Sequence, residues 1–381
     1  MKVLILSCDT GEGHNSAAIA ICKYLKKAGV ECKVLDALSL KSEKASKGAA
    51  LAYLSVIRIP CLFGLIYKAG MLVSSSRFKS PVYYMNKSYS DKLYEYINDN
   101  GFDTVITTHL FPAEALTALK RAKRLSAYTI AVNTDYTCIP FWEETELDYY
   151  IIPHRDLIRE FVRRGIPKEK LLPFGIPVKP EFYKRLPRQM ARERFCRQYN
   201  VSLDCSKPWY MIMSGSMGYG KIKGLVRAAI RLHRSSVNII VICGSNHRLQ
   251  SKLKLVYKNN KNVAICGYCK DVPLIMDASD VLFTKPGGLS STEAAIKSIP
   301  IIHMAPIPGC ESKNAEFFKN RFMSYSSKYI RKQLKAAAKI CSDDHYRSKI
   351  IQAQQENIAR DTCDKIYMLL TELNGREGDG S

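Results

Sequence analysis

Short apolar runs alternate with stretches of helical spacing along most of the chain. KVLIL (Lys2 to Leu6) reads as a buried strand, and apolar positions at helical intervals follow from about Ser16 to Ala28. ECKVLDAL (Glu31 to Leu38), DTVITT (Asp103 to Thr108), YTIAVN (Tyr128 to Asn133) and DYYIIP (Asp148 to Pro153) are further strands, followed by a helix near Arg155 to Arg164 and then KLLPFGIP. Apolar strands separated by helical segments predict a parallel sheet covered on both faces. The rhythm restarts at PWYMIMSGS (Pro208 to Ser216) and continues through VNIIVICG (Val237 to Gly244), NVAICGY (Asn262 to Tyr268), DVLFTKPGG (Asp280 to Gly288) and IPIIHMAP (Ile299 to Pro306). The pattern therefore predicts an α/β chain of two doubly wound, Rossmann-like domains facing a central cleft, with ligands at the carboxyl ends of the strands. Residues 1–180 form the first domain in this reading. A charged linker spans 181–207, a second domain 208–345, a helix over 346–373 returns towards the first domain, and 374–381 is a polar tail.

Composition narrows the class. A chain of 381 residues suits two domains, and 46% hydrophobic with 24% charged residues is a globular composition. Thirteen cysteines without regular spacing fit a reducing compartment better than a disulfide framework. No apolar run reaches the roughly 18 residues needed to cross a bilayer. MKVLILSC resembles a lipoprotein signal ending at Cys8, but its apolar core, Val3 to Leu6, is too short and Asp9 follows. The expectation is a cytoplasmic protein.

The net charge of +23 favours an anionic partner. No RNA-recognition signature, zinc-finger spacing or basic heptad accompanies it, so no nucleic-acid partner is expected. From Leu40 to Lys92 nine Lys or Arg stand against Glu43 and Asp91. Within this segment Ala49 to Ser76 is apolar but broken by Arg58, Pro60 and Lys68, and Tyr53, Tyr67, Tyr83, Tyr84 and Tyr89 add aromatics. The blend suits a segment lying in an anionic membrane surface. A helical insertion that buries its apolar side on its own domain fits equally well.

Five loops carry candidate chemistry. In FTKPGGLSSTEAA (Phe283 to Ala295) a strand end meets a Pro-Gly-Gly turn. Ser290, Ser291 and Thr292 are N-cap candidates, and Glu293 is expected inside the first helical turn. Gly287 and Gly288 let backbone amides approach a diphosphate at a helix N-terminus, and Glu293 can accept from the two hydroxyls of a ribose. A plain turn with a capping box is the alternative. DTGEGH (Asp9 to His14) follows the first strand; Gly11 and Gly13 bring the backbone near a ligand. His14, placed just ahead of a helix expected to begin near Asn15 or Ser16, can take a proton from an attacking hydroxyl or merely cap that helix. In SGSMGYG (Ser214 to Gly220), the amides of Ser214, Gly215, Ser216 and Gly218 can contact phosphate. Gly267 and Tyr268 can frame a base. Asp135 of NTDYTCIPFW can orient a substrate hydroxyl, act as base, or close an Asx-turn. Cys266 and Cys269 form a C-x-x-C without a second pair at zinc spacing and are read as coincidental. No D-x-D motif is present, so no metal and no cofactor are expected. Leaving-group charge then falls on amides, a helix dipole and cations.

Gly11-Glu12-Gly13-His14, the CGSN of Cys243 to Asn246, TKPGG…TEA (Thr284 to Ala294), PIPGCESKNAEFF (Pro306 to Phe318) and FGIPVKPEF (Phe174 to Phe182) together resemble the processive diacylglycerol glucosyltransferases and monogalactosyldiacylglycerol synthases, which have a GT-B architecture. The likeness runs in order over nearly the whole chain. It implies an inverting hexosyl transfer from UDP-hexose to diacylglycerol, by an enzyme peripheral on the inner face of the cell membrane. The second domain would hold UDP, with Glu293 on the ribose and Ser214 to Gly218 and Gly287 to Ser291 near the diphosphate. Gly244, Asn246, Gly267, Tyr268 and Lys285 would complete the donor site, with Glu311 and Asn314 at the sugar or its phosphate link. The first domain would take the lipid, with His14 as general base, Asp135 in support, and Gly11, Gly13 and Trp142 on the acceptor side. Three positions depart from the family's usual pattern: Cys310 where Gln is usual, Ile139 where His is usual, and Ser216 where Gly is usual. A lipid-linked sugar or cell-wall precursor is the alternative acceptor. A UDP-sugar 2-epimerase and a non-catalytic nucleotide-sugar-binding or scaffolding protein are the rival functions. The choice between glucose and galactose, the number of sugars added and the oligomeric state stay open at this level.

Overall fold

The computed structural model describes residues 1–8, 12–41, 69–70, 79–215 and 221–378. Gly11, Ser216, Gly218 and most of the basic segment between Leu40 and Lys92 lie outside the described residues. The chain divides into two compact units, one comprising Met1–Pro180 with Ile307–Lys313 and the chain from Ala359 onward, the other Glu181–Pro306 with Asn314–Ile358.

The first unit is built on β1 (Lys2–Ser7), β2 (Glu31–Asp36), β3 (Thr104–Thr107), β4 (Tyr128–Val132), β5 (Tyr149–Ile151) and β6 (Leu171–Leu172). All pairings are parallel and the order is β2-β1-β3-β4-β5-β6. The chain moves outward from β1 to β2, then returns to the other side of β1 for β3. The gap between β1 and β3 is therefore a topological switch point, where the loops at the strand ends diverge and leave a crevice. Leu6 lies beside Thr107 across it. Ala18, Ile21 and Leu25 of the Glu12–Lys27 helix join Val3, Ile5, Ile106, Ile130 and Ile151 in one core, together with Ile366, Leu370 and Leu373 of the Thr362–Gly378 helix.

The second unit repeats the design with β7 (Trp209–Met213), β8 (Asn238–Ile242), β9 (Val263–Cys266), β10 (Val281–Thr284), β11 (Ile301–His303) and β12 (Ser324–Ser326), ordered β12-β11-β10-β7-β8-β9 and all parallel. Every residue of β7, β8 and β10 is buried, which is why these strands read as continuous apolar runs rather than alternations. Here the switch point falls between β7 and β10, where Met213 lies beside Thr284.

The structure corrects three sequence expectations. The first helix begins at Glu12, not Ser16, so His14 sits within the first helical turn instead of the loop before it. An acidic residue in that turn suits the positive end of the helix. Residues 181–207 contain a helix, Arg188–Tyr199, and belong to the second unit. Buried Arg192 fastens it by donating to the Ala278 carbonyl at 3.0 Å and pairing with Asp280 at 2.5 Å. The helical pattern after residue 330 is three helices, Ile330–Ser342, Asp344–Asn357 and Thr362–Gly378, divided at Asp343, whose side chain caps the second by accepting from the Tyr346 amide. Only the last of these belongs to the first unit; Asp344–Asn357 stays with the second.

Candidate active site

In the first unit, functional side chains gather at the switch point because three loops leave adjacent parallel strands there. His14 follows β1, Thr108 and His109 follow β3, and Thr134 and Asp135 follow β4. The Ser7 hydroxyl, at the end of β1, donates to Asn15 Oδ1 at 2.6 Å and ties the start of the helix to the sheet. His14 Nδ1 lies 2.7 Å from the Thr108 carbonyl oxygen. A carbonyl only accepts, so Nδ1 carries the hydrogen; the same N–H meets the Thr134 hydroxyl oxygen at 3.0 Å. Burial lowers the His14 pKa below the ordinary imidazole value, more than the nearby Asp135 charge and the Thr108 bond raise it. The ring is then neutral at pH 7 with its proton on Nδ1, and Nε2 is left as the basic nitrogen.

His109 stands edge-on to His14, with ring centroids 4.7 Å apart. Its Nδ1 accepts the Phe111 amide at 3.1 Å as the N-cap of the Leu110–Arg121 helix, and burial pushes its pKa well below the ordinary value. A neutral ring whose Nδ1 accepts carries its hydrogen on Nε2, so the two histidines hold opposite tautomers.

In the second unit, the β7 and β10 loops meet at the other switch point. Ser214 is buried, and Gly215 has φ +67°; a Cβ built on it would lie 2.9 Å from Lys285 Cε. The left-handed backbone at Gly215 favours glycine, whereas the contact with Lys285 involves only the far end of a flexible side chain. The Gly288–Ile296 helix opens on Gly287 as N-cap without a side-chain cap bond, which differs from the expected hydroxyl cap. The reason lies in what the hydroxyls do. Ser291 is hydrogen-bonded at 2.9 Å to Nε2 of buried His303, and Thr292 donates back to the Gly288 carbonyl at 2.8 Å. Ser290 is half-buried in the first turn, and Glu293 lies in the second turn, not the first, and is buried. An N-terminus of glycines without a side-chain cap presents amide donors towards an anion.

The remaining candidates take supporting positions. Asn314 Nδ2 donates to the Pro286 carbonyl at 3.1 Å and so braces the Pro-Gly-Gly turn. Glu311 is buried and accepts the Ile307 amide at 3.0 Å. Gly244 adopts φ +58° two residues past the end of β8, and Asn246 caps the His247–Tyr257 helix by accepting the Leu249 amide at 2.9 Å. Gly267 lies against Gln250, and Tyr268 beside it is 62% exposed, an open ring face at the β9 end. Gly13 lies in the first turn of the Glu12–Lys27 helix. Trp142 is buried and packs edge-on against Tyr150, so it supports its loop from within. Sequence reasoning passed over Thr108, His109, Thr134 and His303. The THLF after β3 and the NTD after β4 were visible, but a backbone carbonyl has no sequence signature.

Residues 14–178 match the family model for monogalactosyldiacylglycerol (MGDG) synthase, and residues 210–357 match that for the glycosyltransferase family 28 C-terminal domain. The two spans follow in order and together take in most of both sheets. The chain thus carries, in order, the domains that these two glycosyltransferase family models describe. Processive diacylglycerol beta-glucosyltransferases of Bacillus pumilus and Bacillus subtilis are 27% and 26% identical to it, each over 84% of this chain and 81% of the relative. Among solved structures, MurG of Acinetobacter baumannii has a TM-score of 0.61 at 12% identity, covering 97% of this chain and 99% of MurG. A UDP-GlcNAc 2-epimerase from Neisseria meningitidis, bound to UDP-GlcNAc, also has a TM-score of 0.61 at 12% identity, over 98% of this chain and 100% of the epimerase. Anabaena HepE with UDP-glucose gives 0.58 at 12% identity, over 98% of this chain and 100% of HepE. The chain thus has the GT-B fold and is a glycosyltransferase. Of the positions that depart from the pattern usual in the diacylglycerol glycosyltransferases, Cys310 opens the Cys310–Asn320 helix and is half-buried, as is Ile139.

Proposed function

We propose that this glycosyltransferase moves a hexose from UDP-hexose to the hydroxyl of diacylglycerol, with inversion at the anomeric carbon, at the inner face of the cell membrane. The observation that carries the reading is the His14 constellation, in which a neutral histidine has one nitrogen committed to the Thr108 carbonyl and the other available as a base. Such a group takes the proton as the acceptor oxygen attacks. The new bond forms between acceptor oxygen and anomeric carbon while the bond from that carbon to the UDP oxygen breaks. The proton goes to His14 Nε2, and negative charge builds on the departing diphosphate. Asp135 favours the imidazolium that forms.

In the donor site of this reading, the Gly287 and Gly288 end of the helix and Lys285 meet the diphosphate charge, and Glu293 meets the ribose. Support for a UDP-sugar donor comes from fold relatives solved with UDP or UDP-glucose. Support for a diacylglycerol acceptor comes from the named activity of the Bacillus relatives. The basic, apolar and aromatic segment between Leu40 and Lys92 favours work at an anionic membrane. No helix among the described residues is long and apolar enough to cross a membrane. An epimerase shares the fold at a similar TM-score, so the fold does not separate the two activities; the family models favour transfer.

The test is UDP release by purified protein with UDP-glucose or UDP-galactose on vesicles of diacylglycerol and anionic lipid. Turnover that requires diacylglycerol and prefers one donor is the expected result. Release without diacylglycerol means hydrolysis or another acceptor, and lipid-linked sugars are offered next. No release under any lipid composition would overturn the reading.

A further inference from the structure

The positive charge is not spread evenly over the molecule. The whole chain has 58 Lys and Arg against 35 Asp and Glu; residues 205–270 and 317–342 hold 19 Lys and Arg and no acidic residue, which leaves 39 against 35 elsewhere. Both stretches belong to the second unit. Their helices, Ile222–His233, His247–Tyr257 and Ile330–Ser342, pack on one face of the second sheet. Leu225, Leu253 and Leu334, one from each, share a single core with Ile212, Val241 and Phe283 of β7, β8 and β10. The outer sides of the three helices thus form one surface. None of the three helices carries an acidic residue; Asp271, Asp277, Asp280, Glu293, Glu311 and Glu316 lie between the two stretches, and Asp343 and Asp344 follow the last helix.

The same outer surface is studded with aliphatic side chains that a water-facing helix does not need. Leu232 is 55% exposed, Leu255 72% and Val256 67%; Arg231 and Lys252 on the same two helices are exposed, as is Lys335 on the third. We infer that this three-helix face of the second unit is a docking surface for an anionic lipid bilayer. Basic side chains draw such a face to lipid headgroups, and aliphatic ones gain by entering the acyl boundary. A nucleic-acid surface would use the same charge, but it gains nothing from exposed leucine and valine and relies instead on aromatic stacking and polar groups. A second copy of this face would be repelled by its own charge. None of the exposed side chains named here is assigned to chemistry above, although Asn246 of the donor-site reading caps the His247–Tyr257 helix, and the surface lies outside the Leu40 to Lys92 segment.

The experiment is co-sedimentation of the full chain with sucrose-loaded vesicles, phosphatidylcholine alone or with phosphatidylglycerol, in the absence of diacylglycerol and nucleotide. The wild type is expected to bind only the anionic vesicles and to be released by high salt. The triple variant Arg231→Glu, Lys252→Glu, Lys335→Glu is expected to lose at least tenfold in vesicle binding. The double variant Leu255→Ser, Val256→Ser keeps the charge and is expected to lose several-fold. UDP binding by calorimetry should be unchanged in both, which separates loss of docking from loss of folding and from failure of the donor-site reading. Wild-type binding by the triple variant overturns the proposal. So does salt-sensitive binding of duplex RNA by a wild type that ignores anionic vesicles.

Discussion

At the scale of single residues, the Thr108 carbonyl decides which nitrogen of His14 meets a substrate. Because burial lowers the His14 pKa, the base stays unprotonated until the pH falls below about 6.5, the ordinary histidine value. The acid limb of kcat/KM is therefore expected below that pH, with rate lost as pH falls through the lowered pKa. His14→Gln should lower kcat by roughly 10²–10⁴-fold with UDP affinity retained; unchanged turnover would remove His14 from the proton path. A second residue-scale prediction concerns Cys269. A hydrogen bond from Cys266 and another from Tyr199 draw its pKa down to about 7, while Cys266 itself is pushed far up. Among the described cysteines, which are free thiols, Cys269 should be alkylated first by iodoacetamide at pH 7.5, with a reactivity midpoint near pH 7. Cys266→Ala should move that midpoint towards the ordinary thiol range, as read by mass spectrometry. Spacing alone does not disclose this expectation, because the shift is attributed to Tyr199 in a distant helix as well as to the neighbouring cysteine.

At the scale of elements, two glycines with positive φ predict unequal costs for one substitution. Gly175 (φ +104°) follows β6, and a Cβ there would lie 2.6 Å from Thr362 Oγ1 and 2.8 Å from Ala359 Cβ. Both neighbours are short side chains, Ala359 in the connection before the last helix and Thr362 at its first position, and the Thr362 hydroxyl donates to the Phe174 carbonyl at 2.8 Å. Gly175→Ala should cost more than about 2 kcal/mol, since left-handed strain and a backbone shift combine. Gly215→Ala meets only the far end of the flexible Lys285 chain, and should cost about 1 kcal/mol in stability while weakening UDP binding. Urea denaturation and calorimetry on both variants check the ordering. Elements were also where the sequence was most and least legible. The fully buried strands announced themselves as apolar runs, β7, β8 and β10 above all. By contrast β12 (Ser324–Ser326) carries no apolar signal and was missed; it is three polar or aromatic residues held by pairing to β11. The Pro-Gly-Gly loop was readable as a helix entry, but the partners of Ser291 and Asn314 came from residues far away in sequence, His303 and Pro286, and no local pattern encodes them.

At the scale of the whole molecule, buried neutral histidines in both units make stability depend on pH. His14 and His109 lie in the first unit and His303 in the second, and burial lowers the pKa of each. His303 is pushed down to about 3, enclosed by the Ser291 and Ser324 hydroxyls and the Phe318 ring. For a basic group whose folded pKa is depressed, the unfolded chain binds the proton first on acidification. Stability is therefore full above about pH 6.5 and is lost as pH falls towards 3, by on the order of 2 kcal/mol from His303 alone between pH 7.5 and 5. The chain's two tryptophans allow the effect to be located, since buried Trp142 lies in the first unit and buried Trp209 in the second. In a Trp142→Phe background, urea unfolding followed by Trp209 fluorescence should show the acid loss, and adding His303→Gln should flatten it. In a Trp209→Phe background, the Trp142 signal should keep its pH dependence after the same substitution, because His14 and His109 still carry it. Should His303→Gln flatten both signals equally, the two units unfold as one cooperative block and the protonation cost is shared by the whole chain. Should it flatten neither, the ring is protonated in the folded state, and the seryl cage would have to be reread as solvating a charge.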